Sequence, residues 1–364
     1  MDSNKKVCFL IPSVLSGGIE TYMLRFLTHQ KGNIDATVLV RKSSKGELYE
    51  SYKATGARIV FKPLGYFNPK NMLWYYRFFK KEQFDVVCDL NANFAGLPIV
   101  LSRLAGIKRR ITFYRQSSHH FKKSPLRLAY TNFLNRLVYK HSTDIYANSA
   151  SGLKYFFPNE YPADARFKVI KNGVNVNAFL NVDGSKAELR AKLGLPQDNY
   201  IIGHTGRFAE AKNHYFLLDV AAKLVEKHSN TSIVLIGNNT DKLLPHIQKL
   251  GIESNVITLG YKSNINEYLK AFDLFFFPSV TEGQPNALIE AMISGIPIAT
   301  SNIDPIVECL PADRLGCLID PYNIDTTVKR ILEIKKDPEN YTYQQFAIKN
   351  FDAKAQFGEF MENI

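Results

Sequence analysis

Short apolar runs alternate with longer amphipathic stretches along the whole 364-residue chain. A brief, unbroken apolar run predicts a strand covered on both faces, and an amphipathic stretch after it predicts the helix that does the covering. In the first half the predicted strands are Val7 to Ile11, Ala36 to Val40, Arg58 to Phe61, Val86 to Leu90, Arg110 to Phe113 and Ile145 to Ala147. In the second half they are Tyr200 to His204, Ser232 to Ile236, Val256 to Leu259, Leu274 to Phe277, Ile296 to Ala299 and Gly316 to Ile319. The alternation implies an α/β protein with two parallel sheets. The polar stretch Asn181 to Asn199, which carries Gly and Pro, is the expected junction, giving domains of residues 1–178 and 179–345. The segment from Tyr341 onward begins as a helix, and the chain contains no internal repeat or low-complexity tract.

Candidate chemistry gathers where predicted strands hand over to helices. Asp273 to Ser279 reads DLFFFPS, and Thr281 to Met292 reads TEGQPNALIEAM. Glu282 is therefore expected on the strand-end loop and Glu290 about one turn into the following helix. Open α/β sheets bind ligands on such loops, and a helix N-terminus turns free backbone N–H groups toward an anion. The stretch from Gly283 through Gln284 and Pro285 to Asn286 suits a phosphate, with Glu290 accepting from ribose hydroxyls and Glu282 reaching toward whatever the phosphate carries.

Upstream, Ile201 to His214 reads IIGHTGRFAEAKNH, a strand that stops at Gly206, then Arg207, a short loop and Lys212. A forked guanidinium and a point charge converging on one strand end can neutralise a diphosphate without a metal, although the same spacing also occurs in solvated loops. Near the amino terminus Lys5 to Leu27 is another strand, turn and helix, in which Gly17 and Gly18 permit close approach of backbone to a ligand or simply a tight turn. The turn is not a G-x-G-x-x-G fingerprint, so no dinucleotide cofactor is indicated.

Together, the E-x7-E stretch with GQPN inside it, GRFAEAKNH, the VIKNGVNVNAF segment (Val169 to Phe179) and the N-terminal SGG-x-E resemble the family-4 retaining glycosyltransferases of the GT-B fold. The likeness is strongest to bacterial enzymes that build exopolysaccharide, capsule or O-antigen. It implies two Rossmann-like domains facing each other across a cleft, with the last residues, about 346–364, packing back on the first domain. It further implies a UDP- or GDP-linked sugar donor held mainly by the second domain, no required metal and no separate cofactor. In the implied reaction a hexosyl unit passes with retention to a lipid-linked glycan. Arg207 and Lys212 stabilise the leaving phosphate, Glu282 orients the sugar and Glu290 anchors the ribose. In Arg110 to His120, RITFYRQSSHH, the pattern departs from relatives that carry a histidine after the fifth strand: Arg115 takes that place, and His119 and His120 follow. Arginine does not act as a base, so Arg115, placed on the acceptor side, is expected to bind phosphate of the donor or of a lipid-linked acceptor, with His119 or His120 as further candidates for the cleft.

Charge and cysteine content narrow the setting. Cys8, Cys88, Cys309 and Cys317 lack metal-ligand spacing and are expected reduced and buried, as in a cytoplasmic protein. The start MDSNKK runs directly into a strand, and no apolar run is long enough to span a bilayer. Residues 1–178 hold 28 Lys and Arg against 11 Asp and Glu, whereas residues 179–364 hold 18 against 23. A basic half without a nucleic-acid motif or interleaved stacking aromatics fits an anionic membrane better than nucleic acid, hence peripheral attachment to the inner face of the cell membrane. Asn71 to Lys81 and Lys122 to His141 are the candidate surfaces. In the second, Leu126, Tyr130, Phe133, Leu134 and Leu137 form a helical stripe that reads first as core, flanked by Lys122, Arg127, Arg136 and Lys140. A sugar-nucleotide epimerase on the same fold, or a non-catalytic basic lipid-binding scaffold, are the competing readings; the scaffold leaves Arg207, Lys212 and the paired glutamates without a task.

Overall fold

Strands form where the apolar runs stand because helices on both sides bury them almost completely: Val7, Cys8, Phe9, Leu10 and Ile11 are all inaccessible to solvent, as are Leu274, Phe275 and Phe277. The computed structural model describes residues 5–118 and 124–364, and among these it contains two parallel sheets. The first comprises β1 (Lys6–Ile11), β2 (Asp35–Val40), β3 (Arg58–Phe61), β4 (Val86–Asp89), β5 (Arg109–Tyr114), β6 (Asp144–Ala147) and β7 (Phe167–Val169), in the order β3-β2-β1-β4-β5-β6-β7. The second comprises β8 (Tyr200–Thr205), β9 (Thr231–Ile236), β10 (Val256–Leu259), β11 (Leu274–Phe277), β12 (Ile298–Ser301) and β13 (Leu318–Ile319), in the order β10-β9-β8-β11-β12-β13.

Each sheet winds outward in both directions from its first strand. β1 lies between β2 and β4, and β8 lies between β9 and β11. The strand order therefore reverses beside β1 and beside β8, and connections leaving the carboxyl ends there part to opposite sides, opening a crevice at the strand tips. In the second sheet those tips carry Gly206 and the loop that contains Glu282.

The chain divides into one unit of Met1–Gly173 with Ala353–Ile364 and another of Val174–Asp352. The return to the first unit occurs at the helix Ala353–Glu362, whose Phe357 and Phe360 rings pack on Tyr22 and Phe26. The preceding helix Gln344–Phe351 belongs to the second unit. The polar stretch read as a junction is also part of the second unit: Ser185 and Glu188 form a reciprocal capping box for the helix Lys186–Leu193, and buried Arg190 bonds Asp273 at 2.6 Å. Polar composition marked a cap and a buried ion pair there instead of a linker.

Two strands begin later than expected, β12 at Ile298 and β13 at Leu318, and one strand, β7, was not expected. β12 begins after Pro297, because proline has no N–H for the ladder, although its carbonyl still accepts from Phe275 N at 2.9 Å. β7 is a three-residue edge strand inside a segment whose apolar run is too short to register. The four cysteines are free and buried. Among the described residues, no helix is long and apolar enough to cross a membrane.

Candidate active site

At the end of β8 the chain must turn sharply beside β9, and the backbone fit is close. Gly206 N donates to Ile236 O at 2.8 Å and Phe208 N to Asn238 O at 2.9 Å. A Cβ on Gly237 would lie 2.2 Å from Gly206 O, and its φ is +154°, so only glycine fits opposite this turn. The turn leaves Arg207 exposed and leads into the short helical turn Glu210–Lys212. Asn213 then adopts the left-handed conformation (φ +56°) and ties its side chain to Pro321 O at 2.9 Å before the helix His214–Val225.

The loop after β11 is stapled to this segment by Val280 N donating to Ala211 O at 2.9 Å. That bond brings together side chains 70 positions apart in sequence: Lys212 Nζ stands 2.5 Å from Glu282 Oε1. The two side chains are 21% and 11% exposed, and Lys212 Nζ also lies 4.8 Å over the Phe277 ring. The sequence reading placed one on phosphate and the other on sugar; here each neutralises the other. The pair is partly desolvated but still open to a ligand that offers each charge a different partner.

Downstream of Glu282, Gly283, Gln284 and Pro285 are buried and Asn286 is half-buried. Pro285 occupies the N-cap of the helix Asn286–Ile293, which is embedded through Leu288, Ile289, Met292 and Ile293. Glu290 is buried in the same helix.

Beneath the loop lies a feature that sequence reasoning missed. His204, in β8, and His214, at the helix start, are both buried, with ring centroids 4.8 Å apart at 78°. His204 Nδ1 is 2.9 Å from Phe276 O, and since a carbonyl only accepts, Nδ1 carries a proton. The His204 ring stacks on Phe277, the same ring that supports Lys212. Burial holds both imidazoles below their ordinary range; His214, with the Lys212 charge as the second cause, is lowered to about 4. The two histidines stand out only in hindsight, as the H-T-G and N-H that flank the glycine and lysine of the motif.

In the first unit, Gly17 caps the helix Gly18–His29, and Ser13 Oγ donates to Glu20 Oε1 at 2.5 Å. A Cβ on Gly17 would stand 2.5 Å from Glu20 Oε2, so this glycine first accommodates its own helix's carboxylate, whereas nothing lies within 4 Å of a Cβ on Gly18. Arg115 is buried flat against Tyr22, its guanidinium carbon 3.5 Å from the ring centroid, with Nη2 donating to Asn172 Oδ1 at 2.6 Å. Nε and Nη1 have no hydrogen-bond partner among the described residues, and burial lowers the group to about 10. His119 and His120 lie outside the described residues. Among the described residues, no three His, Cys, Asp or Glu side chains are grouped to hold a metal.

Residues 16–178 match the family described as Glycosyltransferase Family 4, and residues 185–350 match the one described as Glycosyl transferases group 1. The chain belongs to the family-4 glycosyltransferases. EpsF of Bacillus subtilis (strain 168) is 27% identical over 98% of this chain and 95% of its own length. The Staphylococcus aureus capsular polysaccharide biosynthesis glycosyltransferase CapH is 27% identical over 91% of this chain and 92% of its own. The Escherichia coli UDP-Gal:alpha-D-GlcNAc-diphosphoundecaprenol alpha-1,3-galactosyltransferase is 25% identical over 74% and 70%. Among solved structures, Anabaena Alr3699/HepE in complex with UDP-glucose aligns over 99% of this chain and 100% of that one, with a TM-score of 0.83 and 21% identity. This glycosyltransferase therefore has the GT-B fold, two Rossmann-like parallel-sheet domains, and its relatives include enzymes of bacterial capsule and lipid-linked glycan synthesis.

Proposed function

We propose that this glycosyltransferase moves a hexosyl unit, with retention, from a nucleotide diphosphate sugar to a hydroxyl of a lipid-linked glycan during cell-surface polysaccharide synthesis. The carrying observation is the Lys212 and Glu282 pair at the crevice of the second sheet, where strand order reverses. Donor binding separates the pair: Lys212 turns to the diphosphate beside Arg207, and Glu282 accepts from the sugar hydroxyls. As the glycosidic bond breaks, charge grows on the β-phosphate, which two cations and the start of the helix Asn286–Ile293 stabilise without a metal. The departing phosphate takes the acceptor proton, and Glu290 holds the ribose. Backbone at Gly206 and from Gly283 to Asn286 approaches the donor phosphates; in the first unit, Gly17 and Gly18 permit close backbone approach to a ligand, and Arg115 binds an acceptor phosphate.

The E. coli relative supports the setting by the reaction in its name and the S. aureus relative by its capsular polysaccharide biosynthesis, and the basic first half supports attachment to an anionic membrane. A mass-spectrometric screen of UDP- and GDP-sugars against lipid-linked acceptors, run with and without EDTA, tests the reading. Transfer that survives chelation and keeps the anomeric configuration supports it. Donor isomerisation without transfer, inversion, or turnover lost in EDTA and restored by magnesium contradicts it.

A further inference from the structure

We propose that His204 and His214 are positioning residues that hold the turn from Gly206 to Lys212 against the tip of β11, an inference that rests on the donor-diphosphate reading above and names what keeps its two cations in place. The starting observation is a gap in the second sheet. β8 pairs with β9 as far as Thr205 and Ile236, but its pairing with β11 ends at Gly203 and Phe275. The two strands that carry the Arg207 and Glu282 loops thus part before either loop begins. His204 stands at the next position, and its Nδ1 donates to Phe276 O at 2.9 Å. An imidazole therefore supplies a cross-strand donor just where the ladder has ended.

The same ring reaches under the turn. A Cβ on Gly206 would stand 3.1 Å from His204 Nε2 and 3.5 Å from Lys212 Cδ and Cε, so imidazole, turn and lysine stem meet at one point. His214 completes the support. Its ring lies edge-on to His204, faces the backbone of Gly206 and Ala209, and carries the Phe208 ring at 5.7 Å. Backbone bonds from Gly206 and Phe208 fix the turn on the β9 side; on the β11 side the bond from Val280 to Ala211 and the bond from His204 do so.

The choice of imidazole follows from what surrounds it. Phenylalanine would fill either space but could not donate to Phe276 O or offer the turn a polar edge. Lysine or arginine would donate but would set a second charge against Lys212. Burial first, then His214 and Lys212 acting on His204 and Lys212 acting on His214, holds both rings below their ordinary range, so at neutral pH the support adds no charge of its own. Close support matters because a displacement of about 1 Å in a charge-stabilising group costs about 10²-fold in rate.

The experiment titrates UDP, GDP and, separately, inorganic pyrophosphate into the wild type, His204→Phe, His204→Asn and His214→Phe. Melting temperature serves as the fold control, and hydrogen exchange of amides 206–213 reports on the turn itself. His204→Phe keeps the ring and loses the donor, whereas His204→Asn restores a donor at the place of Nδ1. Each Phe variant is expected to weaken nucleotide and pyrophosphate binding about tenfold and to speed exchange in the turn, while His204→Asn recovers most of the affinity. In transfer assays the Phe variants raise KM for the donor and leave KM for the acceptor unchanged. In a Lys212→Met background His214→Phe costs less affinity than in the wild type, because one of the groups it positions is gone. Unchanged affinity in both Phe variants overturns the proposal, as does an equal loss in His204→Phe and His204→Asn, or faster exchange throughout the second unit, which makes the histidines general packing. Should His204→Phe not fold, His214→Phe and its cycle with Lys212→Met decide the case. If pyrophosphate binds and weakens in the variants while neither UDP nor GDP binds, the donor reading fails and this inference stands; if UDP or GDP binds and no variant alters it, the reverse holds.

Discussion

Both units place a glutamate where a strand passes into a helix, yet they treat it differently. In the first, Glu20 is buried and takes a hydrogen bond from Ser13 within its own strand-to-helix connection. In the second, Glu282 stays partly exposed and faces a lysine from a different loop. A carboxylate bonded to a neighbouring hydroxyl fixes a turn; one facing a cation across two separate loops can exchange that cation for a ligand. The same fold element thus carries a locally bonded carboxylate in one sheet and a carboxylate paired across two loops in the other.

The strongest way to break this contrast is to remove either member of the exchangeable pair. Lys212→Met and Glu282→Gln are each expected to lower kcat/KM for transfer by about 10²- to 10³-fold, the usual scale for a charge-stabilising group, with melting temperature little changed. Retention of wild-type turnover in either variant would remove the pair from the mechanism. Next comes the backbone beneath it. Gly237→Ala places a Cβ against Gly206 O, so the Arg207 turn must move; a loss of about 2 kcal/mol or more in urea unfolding is expected, together with weaker UDP binding.

The buried histidine pair sets a pH dependence of comparable size. Both folded-state values lie below the ordinary 6.5, so below that pH the unfolded chain binds protons that the folded chain refuses. For His214 the contribution is complete above pH 6.5 and is lost as pH falls toward 4, a window worth about 3 kcal/mol, and His204 acts in the same direction. Urea titrations at pH 7 and pH 5 measure it, and His214→Gln should flatten the difference. A stability profile level between these pH values would show that the histidines are protonated in the fold. The smallest effect belongs to the first unit: Ser13→Ala should cost about 1–2 kcal/mol of stability and leave UDP affinity unchanged.

The strands other than β7 and the two strand-to-helix connections were legible because a buried parallel strand announces itself as an apolar run, while Gly206 marks the turn after Thr205 and Pro285 the start of the helix after β11. What was not legible depends on partners distant in sequence. Nothing in the local letters says that Lys212 meets Glu282, that His204 stacks on the Phe277 ring that also supports Lys212, or that Arg190 reaches back to Asp273 and makes a polar stretch part of a domain. The helix Pro125–His141 shows the same limit: periodicity identified one face, but only the packing of Tyr66 and Phe67 on Tyr130 separates its buried half from its exposed half.

The central claim is that Lys212 and Glu282 hold each other only until a diphosphate arrives. Calorimetric titration of UDP into the wild type, Lys212→Met and Glu282→Gln tests it most directly. The account predicts at least tenfold weaker binding for Lys212→Met and, because the lysine is released from its carboxylate, affinity equal to or tighter than wild type for Glu282→Gln. Unchanged UDP affinity in Lys212→Met, or an equal loss in both variants, would contradict it.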